Sequence, residues 1–250
     1  MKLPVRPPGR SGYKGPVIES TARAGNPLRI RLSVELRMRL AACLMFALLP
    51  LAAGAADPVF EHPATVAQLN VLLGGTAQGL TRAVAVRGEF SQRKFLHELP
   101  QALNSSGDFL VARGVGIVWH TRVPFDSELV LTPTALVQRD AGVEAVRTDA
   151  SSQPGLGAVE QIFDALFTLD LQSLDRQFAL YGAGGEAGWT LGLKPREAAF
   201  GKVLTAVVVS GAAQPGRIVV FEDNGDRTEI SLSGQTLLPA LSDADRRRFK

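Results

Sequence analysis

Between Gly107 and Gln138 the chain reads GDFLVARGVGIVWHTRVPFDSELVLTPTALVQ. Its apolar runs are short, rich in Val, Leu, Ile, Phe and Trp, and punctuated by Gly114, Gly116, Pro124 and Pro133. That pattern predicts three successive β-strands, GDFLVARG, GIVWHTR and SELVLTP, and a fourth starting at ALVQ. Consecutive short strands joined by tight turns form an antiparallel meander, and the rest of the chain has to fit around it. Arg113 stands between two apolar strands at a glycine turn. Its guanidinium either points to water or looks into an apolar interior, and the functional reading turns on which.

The flanking sequence extends the same plan. Residues 63–80 open with Pro63 and place Val66, Leu69, Leu72 and Leu73 at helical spacing, with Gly74-Gly75 expected to break the helix. Residues 83–95 alternate as a strand, 97–107 form a polar connector, and AGVEAVRTD at 141–149 continues the meander. SSQPGLG reads as a loop. The strongest helix signal lies at 157–171, where Val159, Ile162, Phe163, Leu166 and Phe167 make one face. A hairpin follows across YGAGGEAGW, then a short helix at PREAAFGKV and three strands whose last connection is Asp223-Asn224-Gly225-Asp226. A polar helix capped by Ser242 ends the chain. Alternating rather than continuous apolar runs argue against a doubly wound parallel sheet. The expected fold is mainly β (α+β): about ten strands in one strongly curved antiparallel sheet, with helices on its concave face.

Charge is unevenly placed. Nine of the 27 Lys and Arg fall in residues 1–56 against two of the 24 Asp and Glu, leaving a net charge of −4 on residues 57–250. A mildly acidic body is a poor nucleic-acid ligand. The basic segment includes Arg39, an apolar run from Leu40 to Leu51 and small residues Ala52–Ala56 ahead of Asp57. This reads as a secretory signal over 38–56, its apolar run too short for a membrane span of about 20 residues. Residues 1–37 read as an upstream extension or disordered tail, and 57–250 as the mature domain, exported to the periplasm. LAAC at 40–43 is like a lipoprotein acylation box, but eight apolar residues follow Cys43. With Cys43 in the leader, the mature chain has neither disulfides nor thiol chemistry.

Catalytic patterns are missing. His62, His97 and His120 are scattered without metal-ligand spacing, and no G-x-S-x-G occurs. Gly182, Gly184 and Gly185 resemble a dinucleotide loop, but no helix follows to receive a pyrophosphate, so a hairpin tip explains them better. Asp223 and Asp226 read as turn residues, and Glu222 and Glu229 as solvated flanks. No enzyme, metal or cofactor is expected.

The order of motifs carries a resemblance. Phe90-Ser91-Gln92, a connector, Gly107-Asp108-Phe109, Arg113, Trp119, Pro124 and the S-x-L-V run at 127–130 occur in sequence. An amphipathic helix, Trp189–Pro195 and Val219–Ile230 follow. This series, over nearly all of the mature chain, resembles the LolA-type outer-membrane lipoprotein carriers. Gly114 departs from the proline common after the arginine in that family, and the loop 96–106 differs in length and composition. The resemblance implies an incomplete barrel capped by helices whose interior receives acyl chains of lipoproteins. It implies lining by Phe90, Phe109, Val111, Ile117, Trp119, Leu129 and Leu131. The lid would present Leu69, Leu72, Leu73, Ile162, Phe163, Leu166 and Phe167. Arg113 would bond lid carbonyls and hold the closed state. The implied partners are an inner-membrane lipoprotein-releasing ABC transporter and an outer-membrane lipoprotein receptor, the carrier itself being a monomer. Two alternatives stand beside this: a carrier of another acylated or polyene-type lipid, and a non-transporting structural or interaction module of the envelope.

Overall fold

The computed structural model describes residues 57–149, 151, 163–185, 188–197, 201 and 204–250. The signal segment, Cys43, Ile162, most of the SSQPGLG loop and most of PREAAFGKV lie outside them, as do the first turns of the helix expected at 157–171.

Among the described residues, eleven strands form one antiparallel sheet. They are β1 (Ala85–Phe95), β2 (Leu103–Ala112), β3 (Gly116–Val123), β4 (Ser127–Leu131), β5 (Ala135–Asp140) and β6 (Val143–Asp149), then β7 (Phe178–Gly185), β8 (Gly188–Pro195), β9 (Leu204–Gly211), β10 (Pro215–Glu222) and β11 (Arg227–Leu238). Their order is β6-β5-β4-β3-β2-β1-β11-β10-β9-β8-β7, so two meanders meet where β1 pairs with β11. β6 and β7 end the sheet and do not pair with each other, which leaves the barrel open. β2 begins at Leu103, so part of the stretch expected as a polar connector is strand.

Helix α1 (Val66–Arg82) starts with a capping box, in which Thr65 accepts from the Gln68 backbone N–H and Gln68 accepts from that of Thr65. It runs unbroken through Gly74-Gly75, against the expected break. A mid-helix glycine costs about 1 kcal/mol relative to alanine. Here the apolar row Leu69, Leu73 and Leu80 stays buried on both sides of the pair. Thr76 continues that row and donates to the Ala212 carbonyl at 2.8 Å. Tertiary packing therefore overrides local propensity. Residues 163–168 are helical (α2), and α3 (Leu171–Gln177) follows, capped by Asp170, where no helix was expected. Helix α4 (Asp243–Arg248) is capped by Ser242 as expected.

The two sheet faces have different neighbours. The inner face gathers Val86, Phe90, Phe109, Val111, Ile117, Leu191, Val209 and Leu232 into one cluster with Leu69, Leu73 and Leu80 of α1 and Ala165–Phe167 of α2. Side chains from strands as far apart as β3 and β8 meet there, which requires strong curvature. The outer face is covered in two places. Over β1–β5, Leu238, Leu241 and Phe249 of the C-terminal segment pack on Leu110, Val118 and Val130. Over β7–β10, Val59 and Phe60 pack on Val208 and Val219. The last helix thus sits on the convex side, not the concave side expected for the helices.

Candidate functional site

The interior face is built around one aromatic wall. Phe90 and Trp119 are stacked with ring centroids 3.9 Å apart; Phe109 lies 6.0 Å from Trp119 and 5.7 Å from Phe167 of α2. Gly88 makes this possible. A β-carbon there would meet the Phe109 ring at 2.8 Å, so the ring occupies the place of a side chain. Of the expected lining, Phe90, Phe109, Val111 and Ile117 lie in the main cluster and Trp119 packs against it. Leu129 and Leu131 pair in register with Trp119 and Ile117 on the neighbouring strand, Leu131 buried and Leu129 half-buried. Of the expected lid residues, Leu69, Leu73, Leu166 and Phe167 are buried, and Leu72 is partly buried against the same cluster. Phe163 is 39% exposed and stands outside that cluster.

At the β2–β3 turn, Arg113 faces the helices. Its guanidinium donates to the Leu80 carbonyl at 2.9 Å. Leu80 sits in the last turn of α1, where free carbonyls and the negative end of the helix dipole favour a cation. Gly114, at φ +64°, is in the left-handed region that proline cannot adopt. Its backbone N–H bonds the Asp164 carboxylate of α2. Burial raises the Asp164 pKa above the usual carboxylate range, and the nearby Arg113 charge and the Gly114 bond offset only part of this. One turn therefore contacts both helices, α1 through Arg113 and α2 through Gly114.

The glycines at 182 and 184 lie within β7, not in its turn. A β-carbon at Gly182 would collide with Leu69, and one at Gly184 with Leu72. Both positions are bare so that α1 can lie directly on the strand. The edge of β7 is itself occupied: the Ala64 N–H donates to the Leu180 carbonyl, and the Gly182 N–H to that of His62.

Beyond the aromatic wall the inner face turns polar. Lys94 continues the row Val86, Gly88, Phe90 and Gln92, and its ammonium is 3.0 Å from Glu222 with both side chains buried. Thr228 lies opposite Lys94 in register, is 4% exposed, and its hydroxyl interacts with the Glu222 carboxylate. Glu222, expected to be solvated, is instead buried, and burial raises its pKa despite the Lys94 charge. Asp226 is a turn residue as expected; it is also buried and accepts the His97 backbone N–H at 2.9 Å. The F-x-Q-x-K alternation of β1 carried the signal for Lys94, but nothing local announces Glu222 as its partner. Among the described residues, no group of three His, Cys, Asp or Glu side chains could hold a metal ion.

On the convex side His120 bridges two carboxylates, with Nδ1 2.9 Å from Asp108 and Nε2 2.6 Å from Asp126. Burial alone would lower its pKa, but the bonds to Asp126 and Asp108 outweigh this and raise it. Arg248 of α4 joins the same group through Asp108 and Glu128.

No significant match occurs among curated protein sequences. Similar solved structures include a LolA superfamily protein from Nitrosomonas europaea (11% identity, TM-score 0.40, covering 72% of this chain and 97% of that one). A chain of the MucA/MucB complex of Pseudomonas aeruginosa is 12% identical (TM-score 0.40, 71% and 59% covered). LprF from Mycobacterium bovis is 15% identical (TM-score 0.33, 70% and 94% covered). The family model for the outer membrane lipoprotein carrier protein LolA matches residues 81–246, from the end of α1 into α4. Since that match covers well over half of its length, the chain belongs to the LolA family of outer membrane lipoprotein carriers.

Proposed function

We propose that this protein is a non-enzymatic carrier of the cell envelope that shelters the acyl chains of lipoproteins between the sheet and helices α1 and α2. The supporting observation is the Arg113–Leu80 bond, which ties the lid helix to a strand turn beside an apolar, aromatic interior. Each buried CH₂ of an acyl chain gains about 0.8 kcal/mol. A long chain left in water therefore needs an apolar enclosure to cross an aqueous compartment. Release requires that the closed state be only slightly preferred. Hydrogen bonds from one turn to the two helices, each with a net contribution of about 1 kcal/mol, fit that requirement.

In this reading residues 38–56 direct export, and the mature chain works as a monomer in the periplasm. It takes cargo from an inner-membrane lipoprotein-releasing ABC transporter and passes it to an outer-membrane lipoprotein receptor. The test is to produce the chain from Met38 with its own signal, purify it from periplasm without detergent, and weigh the intact complex. An acylated protein bound one to one supports the carrier. A small lipid or pigment precursor shifts the cargo to another acylated or polyene-type lipid. No bound species and no uptake of added lipid would refute transport and leave a structural envelope module.

A further inference from the structure

We infer that Asp164 is the positioning residue that lets the interior open: its buried, incompletely bonded carboxylate keeps α2 weakly seated on the β2–β3 turn. This rests on the carrier reading for its use, and it specifies what balances the closed form against the open one. The Gly114 N–H, which a proline there would lack, bonds the Asp164 carboxylate, and the Arg113 charge is nearby. A carboxylate has room for about four hydrogen bonds. Among the described residues, Gly114 supplies the one that Asp164 receives, and Oδ1 is buried without a partner of normal geometry. Lifting α2 from the turn returns water to that charge, while Ala165, Leu166 and Phe167 hold the helix down on the inner cluster. An asparagine would accept the same N–H with no charge to desolvate, so the charge is what weakens the seat.

Two residues at one turn thus act in opposite senses. Arg113 draws the end of α1 to the strands, and Asp164 eases the departure of α2. The charged groups facing Asp164 are Arg113 from the β2–β3 turn, which favours the ionised form, and Asp170 from the start of α3, which opposes it. Burial outweighs the Arg113 charge and the Gly114 bond, so the carboxyl holds its proton more tightly with α2 seated than with α2 free in water. The seat is therefore firmest below the ordinary value of 3.8 and loosens as pH rises through the raised one.

Amide exchange of residues 163–168 in the cargo-free protein tests this, with β1–β3 as the reference and protection taken relative to unstructured peptide at each pH. At neutral pH, Asp164→Asn is expected to raise protection of this segment about three-fold or more and to leave the strands unchanged. In the wild type, protection of the segment rises as pH is lowered toward about 4; in Asp164→Asn it does not change with pH. Loaded with lipid, the variant retains it less well and passes it to acceptor membranes faster than the wild type, the reverse of Arg113→Leu. Protection in Asp164→Asn no greater than in the wild type at neutral pH, or the same pH profile in both, overturns the proposal and leaves the carrier reading intact. The expected exchange in a protein that takes up no lipid supports the weak seat and refutes the carrier.

Discussion

The two ends of the interior each use one cation, and they use it in opposite ways. At the Arg113 end the cation bonds a backbone carbonyl at the end of a helix, with the Asp164 carboxylate of α2 nearby. At the Lys94 end, nine residue steps and about 30 Å along β1 from Ala85 beside the turn, it meets a buried carboxylate. The carbonyl can exchange its partner for water at little expense. The carboxylate and ammonium cannot separate without leaving a charge in an apolar setting. One end can therefore rearrange at little cost, and the other is held fixed.

The largest effect should come from breaking the fixed end. Lys94→Met alone leaves Glu222 buried without its counter-ion and is expected to destabilise the fold by about 3–5 kcal/mol. Lys94→Met/Glu222→Met should restore most of that loss in urea unfolding at neutral pH. A double variant as unstable as the single one would show that the pair itself stabilises the fold. Next in size, Gly182→Val drives a side chain into Leu69, and overpacking of this kind costs about 1–3 kcal/mol. Faster amide exchange in Val66–Arg82, with β1–β3 unchanged, is the expected signature.

At the opening end the change in stability is small and the change in function large. Arg113→Leu should lower stability by about 1 kcal/mol, take up lipid, and fail to pass it on. Transfer to acceptor membranes at the wild-type rate would rule out the arginine as a release element. The smallest effect belongs to His120. Its folded pKa is raised, so its stabilising contribution is complete below the unfolded value of about 6.5 and fades as pH rises through the folded one. His120→Gln should therefore lower stability by about 1 kcal/mol or less under mildly acidic conditions and have little effect at alkaline pH. A uniform loss at every pH would contradict the assignment.

Much of this architecture is legible in the sequence because it is local. Alternation along β2–β5, the Asn224-Gly225 turn and the Ser242 cap each write their outcome into a few adjacent residues. The helix across Gly74-Gly75 was not legible, since its continuity is enforced by Leu73 and Leu80 packing against the distant sheet. Asp170 and the following LQSLDRQ carried a cap signal that the neighbouring hairpin obscured. Glu222 reads as a solvated turn flank until β10 is known to face the interior two strands from Lys94. The partnership of Asp164 with Gly114 depends likewise on how α2 crosses the β2–β3 turn.

The bare stretch of β7 has a consequence for how much room a guest finds. Where Leu69 and Leu72 rest on Gly182 and Gly184, the lid lies against naked backbone and leaves no thickness for a second layer. Space for a tail has to open on the opposite flank, beside Phe90, Phe109 and Trp119. That flank has a measurable length: the eight residue steps of β1 from Val86 to Lys94 span about 27 Å along the strand. One leaflet of a bilayer is about 15 Å deep, half of a hydrocarbon core of about 30 Å. A tail that fills one leaflet would cover little more than half of that length. On the carrier reading, acyl chains would therefore lie along β1 rather than over β7, where α1 rests on bare backbone.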